Sequence, residues 1–310
     1  MSAPAIQLEH LHKRYGRVTA LRDLSLDVAS GEVFGFLGLN GAGKTTTIRI
    51  LLDLVRPTGG RAAVFGLDCQ ARGLDVRAKL GYLPGEPGFY GDMTGEATLD
   101  LLASLSGGTP DRAWRATLLD RLELSMADLR RPLREYSTGM KRKLGIVQAF
   151  QSDPPLLVLD EPTEGLDPLM QDAFYSLLAD ARVRGRTVFM SSHVLPEVER
   201  VCDRIGLVRG GELVLVSTVH EIRSLAGRRV RVSFAQPVAA PASWPGGCEV
   251  IDVSPRVWDL RVHSGLGAVV AMLAALPIAD LEVQMPHLEE ILKTYYSDQP
   301  HVSALARLRT

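Results

Sequence analysis

The residues best suited to chemistry lie in two short runs. The first, GLNGAGKTT from Gly38 to Thr46, satisfies the spacing G-x-x-x-x-G-K-[ST]. Main-chain N–H groups of such a loop point inward and can cradle a triphosphate, and the following helix adds the positive end of its dipole. Gly38, Gly41 and Gly43 let the backbone turn tightly and approach the oxygens without a Cβ in the way, and Leu39, Asn40, Ala42 and Thr46 complete the cradle. Lys44 suits the β- and γ-phosphates, and the Thr45 hydroxyl suits Mg2+. The second run is LLVLDEP, Leu156 to Pro162. Asp160 at the end of its apolar stretch would hold Mg2+ through water, and Glu161 would polarise an attacking water. A second metal contact without general-base work is the alternative role for Glu161. Acidic residues often follow buried strands, so this run gains its force from the first.

Both runs need strands to aim them. The apolar VFGFLG precedes the glycine loop and TTTIRILLDLV follows it with helical character, the strand–loop–helix order that a phosphate loop requires. Continuous apolar LLVL suits the middle of a parallel sheet covered on both faces. TVFMSSH, Thr187 to His193, repeats the strand-then-polar pattern. Upstream, Ile6 to Val28 reads as short strands and turns. Gly81 to Tyr90, GYLPGEPGFY, reads as a turn-rich break, and ATLDLLASL and RATLLDRLEL beyond it carry helical periodicity. MKRKLGIVQAF reads as a helix whose Lys141, Arg142 and Lys143 form a solvated first turn. IGLVRGGELVLVS reads as a hairpin turning at Gly210 and Gly211.

After about Thr218 the composition changes. The strands RVRVSFA, CEVIDVS, VWDLRV and LEVQM, an apolar helix at Leu266 to Leu276 and a helix HLEEILKTYY predict a small α+β domain. PVAAPASWPGG reads as a loop within it. The boundaries are 1–218 for the large domain, 219–298 for the small one and 299–310 for a tail.

Composition bounds the class. A chain of 310 residues, 46% hydrophobic and 23% charged, fits one large globular domain and a small one. A net charge of −1 gives no basic field for nucleic acid, and no nucleic acid partner is expected. Cys69, Cys202 and Cys248 form no metal-ligand pattern and fit a reducing compartment better than a disulfide scaffold. The first residues lack the basic-then-apolar pattern of a signal peptide. The apolar stretch Leu266 to Ala279 is interrupted by Pro277 and falls short of the roughly 18–20 residues that cross a bilayer, so it reads as a buried helix.

From about Ile6 to Ser217, these residues resemble an ATP-binding cassette (ABC) transporter subunit. The resemblance implies an α/β fold, a P-loop NTPase cassette with a mixed sheet core, an antiparallel β subdomain and a helical subdomain at about 87–150. YSTGM, Tyr136 to Met140, stands where the family's signature L-S-G-G-Q falls. Tyr136, Thr138 and Met140 depart from it. Ser137 and Gly139 are retained, and Ser137 is implied to donate to the γ-phosphate of ATP held by an opposing subunit. His193 takes the place of the switch histidine that bridges the γ-phosphate and its neighbours. EGLDP, Glu164 to Pro168, matches the loop that passes Asp167 across a dimer interface. Tyr15, in HKRYG, matches the aromatic that stacks on adenine. Most members carry a glutamine after GYLP that touches Mg2+ and transmits movement. Here Gly85 and Glu86 follow, so Glu86 or a water is the candidate substitute.

The resemblance thus implies ATP and Mg2+ as cofactors and hydrolysis carried by Glu161, His193 and Lys44. It implies a head-to-tail homodimer and a separate integral membrane permease, reached at the cytoplasmic face of the cell membrane. The Y-S-x-G-M signature, GYLPGE and the C-terminal domain resemble drug- and lipid-exporting subunits, so export is the expected direction. A soluble cassette ATPase acting on ribosomes or DNA is the alternative from another class. Such proteins usually carry two cassettes or a long coiled coil, and this chain has one cassette, no heptad run and no basic tail. A poorly hydrolysing ATP sensor is the third reading, sustained by the altered signature and the missing glutamine.

Overall fold

The computed structural model describes residues 4–106 and 111–285. They fall into two compact units divided between Val216 and Ser217. The helix expected at HLEEILKTYY and the tail lie outside the described residues.

The first unit opens with β1 (Ile6–Tyr15) and β2 (Val18–Val28), an antiparallel pair. Next come β3 (Val33–Leu37), a glycine-rich loop and α1 (Lys44–Leu51). β4 (Gly59–Val64), β5 (Leu67–Asp68), α2 (Gly73–Arg77) and β6 (Leu80–Leu83) follow. A helical region carries α3 (Gly95–Leu105), α4 (Arg112–Arg121), α5 (Met126–Leu129) and α6 (Thr138–Phe150). The unit then runs through β7 (Leu156–Asp160), α7 (Pro168–Val183), β8 (Thr187–Ser192), α8 (Leu195–Val201), β9 (Arg204–Arg209) and β10 (Glu212–Thr218).

Two sheets result, one ordered β2-β1-β4-β5 and one ordered β10-β9-β3-β8-β7-β6. In the second, β9, β3, β8, β7 and β6 pair in parallel. Every residue of β3, β7 and β8 is buried, the outcome expected of apolar strands covered on both faces. Phe34 and Phe36 pack against Phe189 of β8 with centroids 5.9 and 5.2 Å apart, which ties the strand before the glycine loop to its neighbour.

Two expectations for this unit need correction. The segment read as a turn-rich break begins with β6, the edge strand paired to β7. Its glycine serves close packing rather than a turn, since a Cβ on Gly81 would lie 2.0 Å from the Ala149 carbonyl oxygen of α6. Arg142, read as part of a solvated turn, is buried at 3% exposure.

The second unit contains α9 (Val219–Ala226), β11 (Arg228–Phe234), β12 (Cys248–Val253), β13 (Val257–Val262), α10 (Leu266–Ala274) and β14 (Ile278–Gln284). Its antiparallel sheet is ordered β12-β13-β11-β14. Val230, Val232, Phe234, Trp258, Leu260 and Val262 form a core with Val269 and Leu273 of α10. That helix buries only one stripe, so the reading of a buried helix holds for one of its faces. α9 was not anticipated. Its signal is a capping box, in which the Thr218 hydroxyl accepts from the Glu221 amide and the Glu221 carboxylate accepts from the Thr218 amide. Among the described residues no helix is long and apolar enough to cross a membrane.

Candidate active site

The glycine-rich loop joins the end of β3 to α1. Gly41 and Gly43 have φ of 81° and 110°, in the left-handed region. At Gly43 a Cβ would sit 2.7 Å from Leu21 Cδ2 and 2.8 Å from the Ala20 carbonyl oxygen, so no larger residue fits without displacement. The loop is braced from outside. The Gly211 amide, at the β9–β10 turn, donates to the Ala42 carbonyl at 3.0 Å, and the Arg22 amide of β2 donates to the Gly211 carbonyl at 2.8 Å.

This frame shapes a cleft of about 320 Å³ lined by Leu39, Asn40, Gly41, Gly43, Lys44, Thr45, Thr46, Ala20 and Glu161. Lys44 is 5% exposed. Its ammonium donates to the Gly38 carbonyl at 2.6 Å and meets Glu161 Oε1 at 3.1 Å. Ala20 carries no signal in the sequence, because its place in the lining depends on the hairpin folding back over the loop.

The acidic pair sits at the end of β7 beside β8, with Asp160 in register with Ser191. Ser191 Oγ donates to Asp160 Oδ1 at 2.5 Å and accepts from the Glu161 amide at 3.1 Å. One hydroxyl therefore fixes both acidic residues, a role the sequence reading missed. No sequence signal singles it out, since Thr187, Ser191 and Ser192 of β8 are all polar and all buried. Glu161 has φ of 48°, a strained conformation for a residue with a side chain. Its Oε2 is hydrogen-bonded to His193 Nδ1 at 2.8 Å. Glu161 thus joins Lys44 to His193, residues far apart in the sequence.

Elsewhere the candidates stand apart from the cleft lining. Tyr15 ends β1 at 44% exposure, with the Lys13 ammonium 4.8 Å from its ring centroid. Ser137 caps α6, accepting from the Met140 amide at 3.2 Å, and Asp167 caps α7, accepting from the Met170 amide at 3.0 Å. Of the two departures nearest Ser137, the one at Tyr136 has a physical reason. Tyr136 is buried and its hydroxyl donates to the Asp128 carbonyl at 2.7 Å, anchoring the loop to α5. Burial raises its phenol pKa above the ordinary value. The Thr138 methyl lies toward Gly165, where a Cβ would be 3.9 Å away, and a Cβ on Gly139 would lie 3.6 Å from the Gly165 carbonyl. The YSTGM and EGLDP loops therefore lie side by side within one chain.

Glu86 is exposed and is not among the cleft residues. Gly85 lies closer to the chemistry, since a Cβ there would be 3.8 Å from Asp160 Oδ2. Arg142 reaches this loop from α6, donating to the carbonyls of Pro84 at 2.9 Å and Gly85 at 2.7 Å. Burial pushes its guanidinium pKa down, against the opposing pull of Glu164, Asp160, Glu161 and Glu86. The cysteines take no part: burial pushes the Cys69 thiol up to about 12 and raises Cys202 and Cys248 as well.

The sequence profile of the ABC transporter family matches residues 21–164, from β2 through the phosphate loop to the acidic pair. The chain is 40% identical over 209 residues to an uncharacterized ABC transporter ATP-binding protein of Nostoc, spanning 66% of this chain and 62% of that relative's length. It is 38% identical over 218 residues to a bacitracin transport ATP-binding protein of Enterococcus faecalis, covering 70% of each. A daunorubicin resistance ATP-binding protein of Streptomyces coeruleorubidus aligns at 32% identity over 99% of this chain and 100% of its own. Among solved structures, the ATP-binding subunit of an ABC transporter superposes with a TM-score of 0.66 at 31% identity, covering 71% of this chain and 92% of that one. A dimeric bacterial ABC transporter cassette shares the fold at a TM-score of 0.64 and 22% identity, over 69% of this chain and 98% of that one. With the matched profile falling on the phosphate loop and the acidic pair, and with full-length similarity to one such protein, the chain belongs to the ABC transporter family as one of its ATP-binding subunits, the ATPase components of these transporters.

Proposed function

We propose that the chain binds ATP with Mg2+ beside the phosphate loop, closes head to tail on a second copy, and hydrolyses the nucleotide with Glu161. The cycle drives a separate exporter permease at the cytoplasmic face of the membrane. The observation that carries this reading is the Glu161 carboxylate, one oxygen 3.1 Å from Lys44 and the other 2.8 Å from His193. A phosphate-binding cation and an imidazole converge on one carboxylate base.

The chemistry follows from that geometry. Loop N–H groups and Lys44 hold the β- and γ-phosphates. Phosphate oxygens compete with Glu161 for the Lys44 ammonium and free the carboxylate to take a proton from the attacking water. His193 orients Glu161 and reaches the γ-phosphate. Thr45 and Asp160 offer an all-oxygen donor set that suits Mg2+. Ser191 holds Asp160 Oδ1, and the side of Oδ2 faces Gly85, which carries no side chain to cover it. Held by Thr45 and Asp160, Mg2+ would supply charge neutralisation for the transferred phosphate.

Tyr15 stacks on the adenine. Ser137 uses its oxygen as the acceptor of a helix cap and keeps its O–H proton to donate across a dimer interface to a γ-phosphate. Gly139 and Asp167 complete the same interface. ATP then contacts both cassettes only when they are closed, and hydrolysis removes those contacts. The dimeric cassette of like fold supports this assembly, and the relatives named for bacitracin transport and daunorubicin resistance support export.

The test is to capture tagged Glu161→Gln chain from detergent-solubilised native membranes with ATP present and identify what co-purifies by mass spectrometry. A small multi-spanning permease at equal stoichiometry is expected. Ribosomal or DNA-associated proteins without a membrane partner would overturn the transport reading.

A further inference from the structure

Arg142 reaches two loops at once through its guanidinium. It projects from α6, five residues after Ser137, and is 3% exposed. Nη1 donates to the Pro84 carbonyl at 2.9 Å and Nη2 to the Gly85 carbonyl at 2.7 Å. Nε donates to the Glu164 carbonyl at 3.0 Å, and the Glu164 carboxylate stands 3.9 Å from Nη2. The planar fork of donors thus spans the segment after β6 and the segment between β7 and α7.

Each end of this bridge leads to the site. Gly85 lies against Asp160, its would-be Cβ 3.8 Å from Oδ2. Glu164 stands three residues before Asp167, the cap of α7. Ser137 caps the helix that carries Arg142. All three acceptors are main-chain carbonyls, so the linkage is indifferent to the side chain at position 85. That matters because Gly85 has none with which to reach Asp160 or pass on a displacement.

We infer that Arg142 is a positioning residue that couples the Ser137 loop to the Gly85 and Asp167 loops, so that closure on ATP at one is transmitted to the others. The linkage rests on the ATP-driven dimer proposed above. A buried cation held by three carbonyls also resists separation of its loops, because pulling any one away leaves part of the charge unpaired. The loops therefore move with α6 as one body. Lysine keeps the charge but offers a single nitrogen, which cannot span three carbonyls on two segments.

The test uses the full-length chain as wild type, Arg142→Lys and Arg142→Met, each also in a Glu161→Gln background. Nucleotide affinity is read by titration of a fluorescent ATP analogue, closure by the mass of the ATP-bound species, and turnover by steady-state hydrolysis. Both variants are expected to hold the analogue within about twofold of wild type, since Lys44 and the phosphate loop are untouched. Turnover should fall about 10- to 100-fold with KM for ATP little changed, and ATP should no longer dimerise Glu161→Gln/Arg142→Lys. Wild-type turnover and dimerisation in a folded Arg142→Lys chain would overturn the inference while leaving the proposed function intact. A wild-type chain that neither hydrolyses ATP nor closes as Glu161→Gln would instead defeat the proposed function, and the inference with it.

Discussion

Replacing Ser191 by alanine removes one hydroxyl from the centre of the candidate site, and its effect can be worked from two hydrogen bonds. The Glu161 amide loses an acceptor at 3.1 Å but keeps the Ser191 main-chain carbonyl at 3.2 Å, which alanine also supplies. No amide is orphaned there. The Asp160 carboxylate loses the 2.5 Å donor on Oδ1, and it is only 3% exposed, so water does not readily replace it. Hydrogen bonds to charged groups are worth about 1.5–3 kcal/mol. In a domain of this size that is a fall in unfolding temperature of about 3 to 12 °C. If the loss is felt wholly at the reacting geometry, turnover falls about 10- to 150-fold. A double-mutant cycle with Asp160→Ala, read by urea unfolding and by ATPase rate across a Mg2+ titration, isolates the pair. A coupling of about 1 kcal/mol or more is expected. Additivity within about 0.5 kcal/mol would refute the claim that Ser191 acts through Asp160.

Three further outcomes are expected. Tyr15→Ala should raise KM for ATP by about 5- to 150-fold, the cost of losing a base–aromatic stack, with kcat little changed; titration of ATP against turnover checks it. Thr218→Ala removes the hydroxyl half of the α9 capping box and should destabilise the second unit by about 0.5–2 kcal/mol, measured by chemical unfolding. Hydrogen bonds from Arg229, with Arg229, Arg231 and Arg261 nearby, hold the Asp259 carboxyl below its ordinary value of 3.8. A depressed folded-state pKa gives stability that is complete above the unfolded value and lost as pH falls through the folded one. The stability gap between wild type and Asp259→Asn, followed by tryptophan fluorescence, should therefore be constant near neutrality and close as pH drops below 3.8.

The phosphate loop was legible because it is contiguous: its glycines, lysine and threonine act from fixed places along nine residues, and the flanking strand and helix follow from local pattern. The meeting of Lys44, Glu161 and His193 was implied by family order alone, since their contacts depend on the register of β3, β8 and β7. Ser191 was not legible, because a serine near the end of a strand looks the same whether it faces water or a carboxylate. Arg142 was misread for a related reason. A charged triplet at a helix start is usually solvated, and only the two loops folding over α6 supply the carbonyls that let it be buried. Gly81 and Pro84 disguised β6 as a turn, although packing against α6 is what excludes a Cβ at Gly81. In α10, uniform apolarity hid which face is covered.

The most direct test of the account is the mass of Glu161→Gln in solution with and without ATP and Mg2+, set beside its turnover. Loss of the carboxylate that meets both Lys44 and His193 should abolish hydrolysis and leave the bound nucleotide holding two chains together. The expected result is a monomer that becomes a stable dimer on adding ATP, with no phosphate released. A variant that turns over at the wild-type rate, or that stays monomeric at saturating ATP, would contradict it.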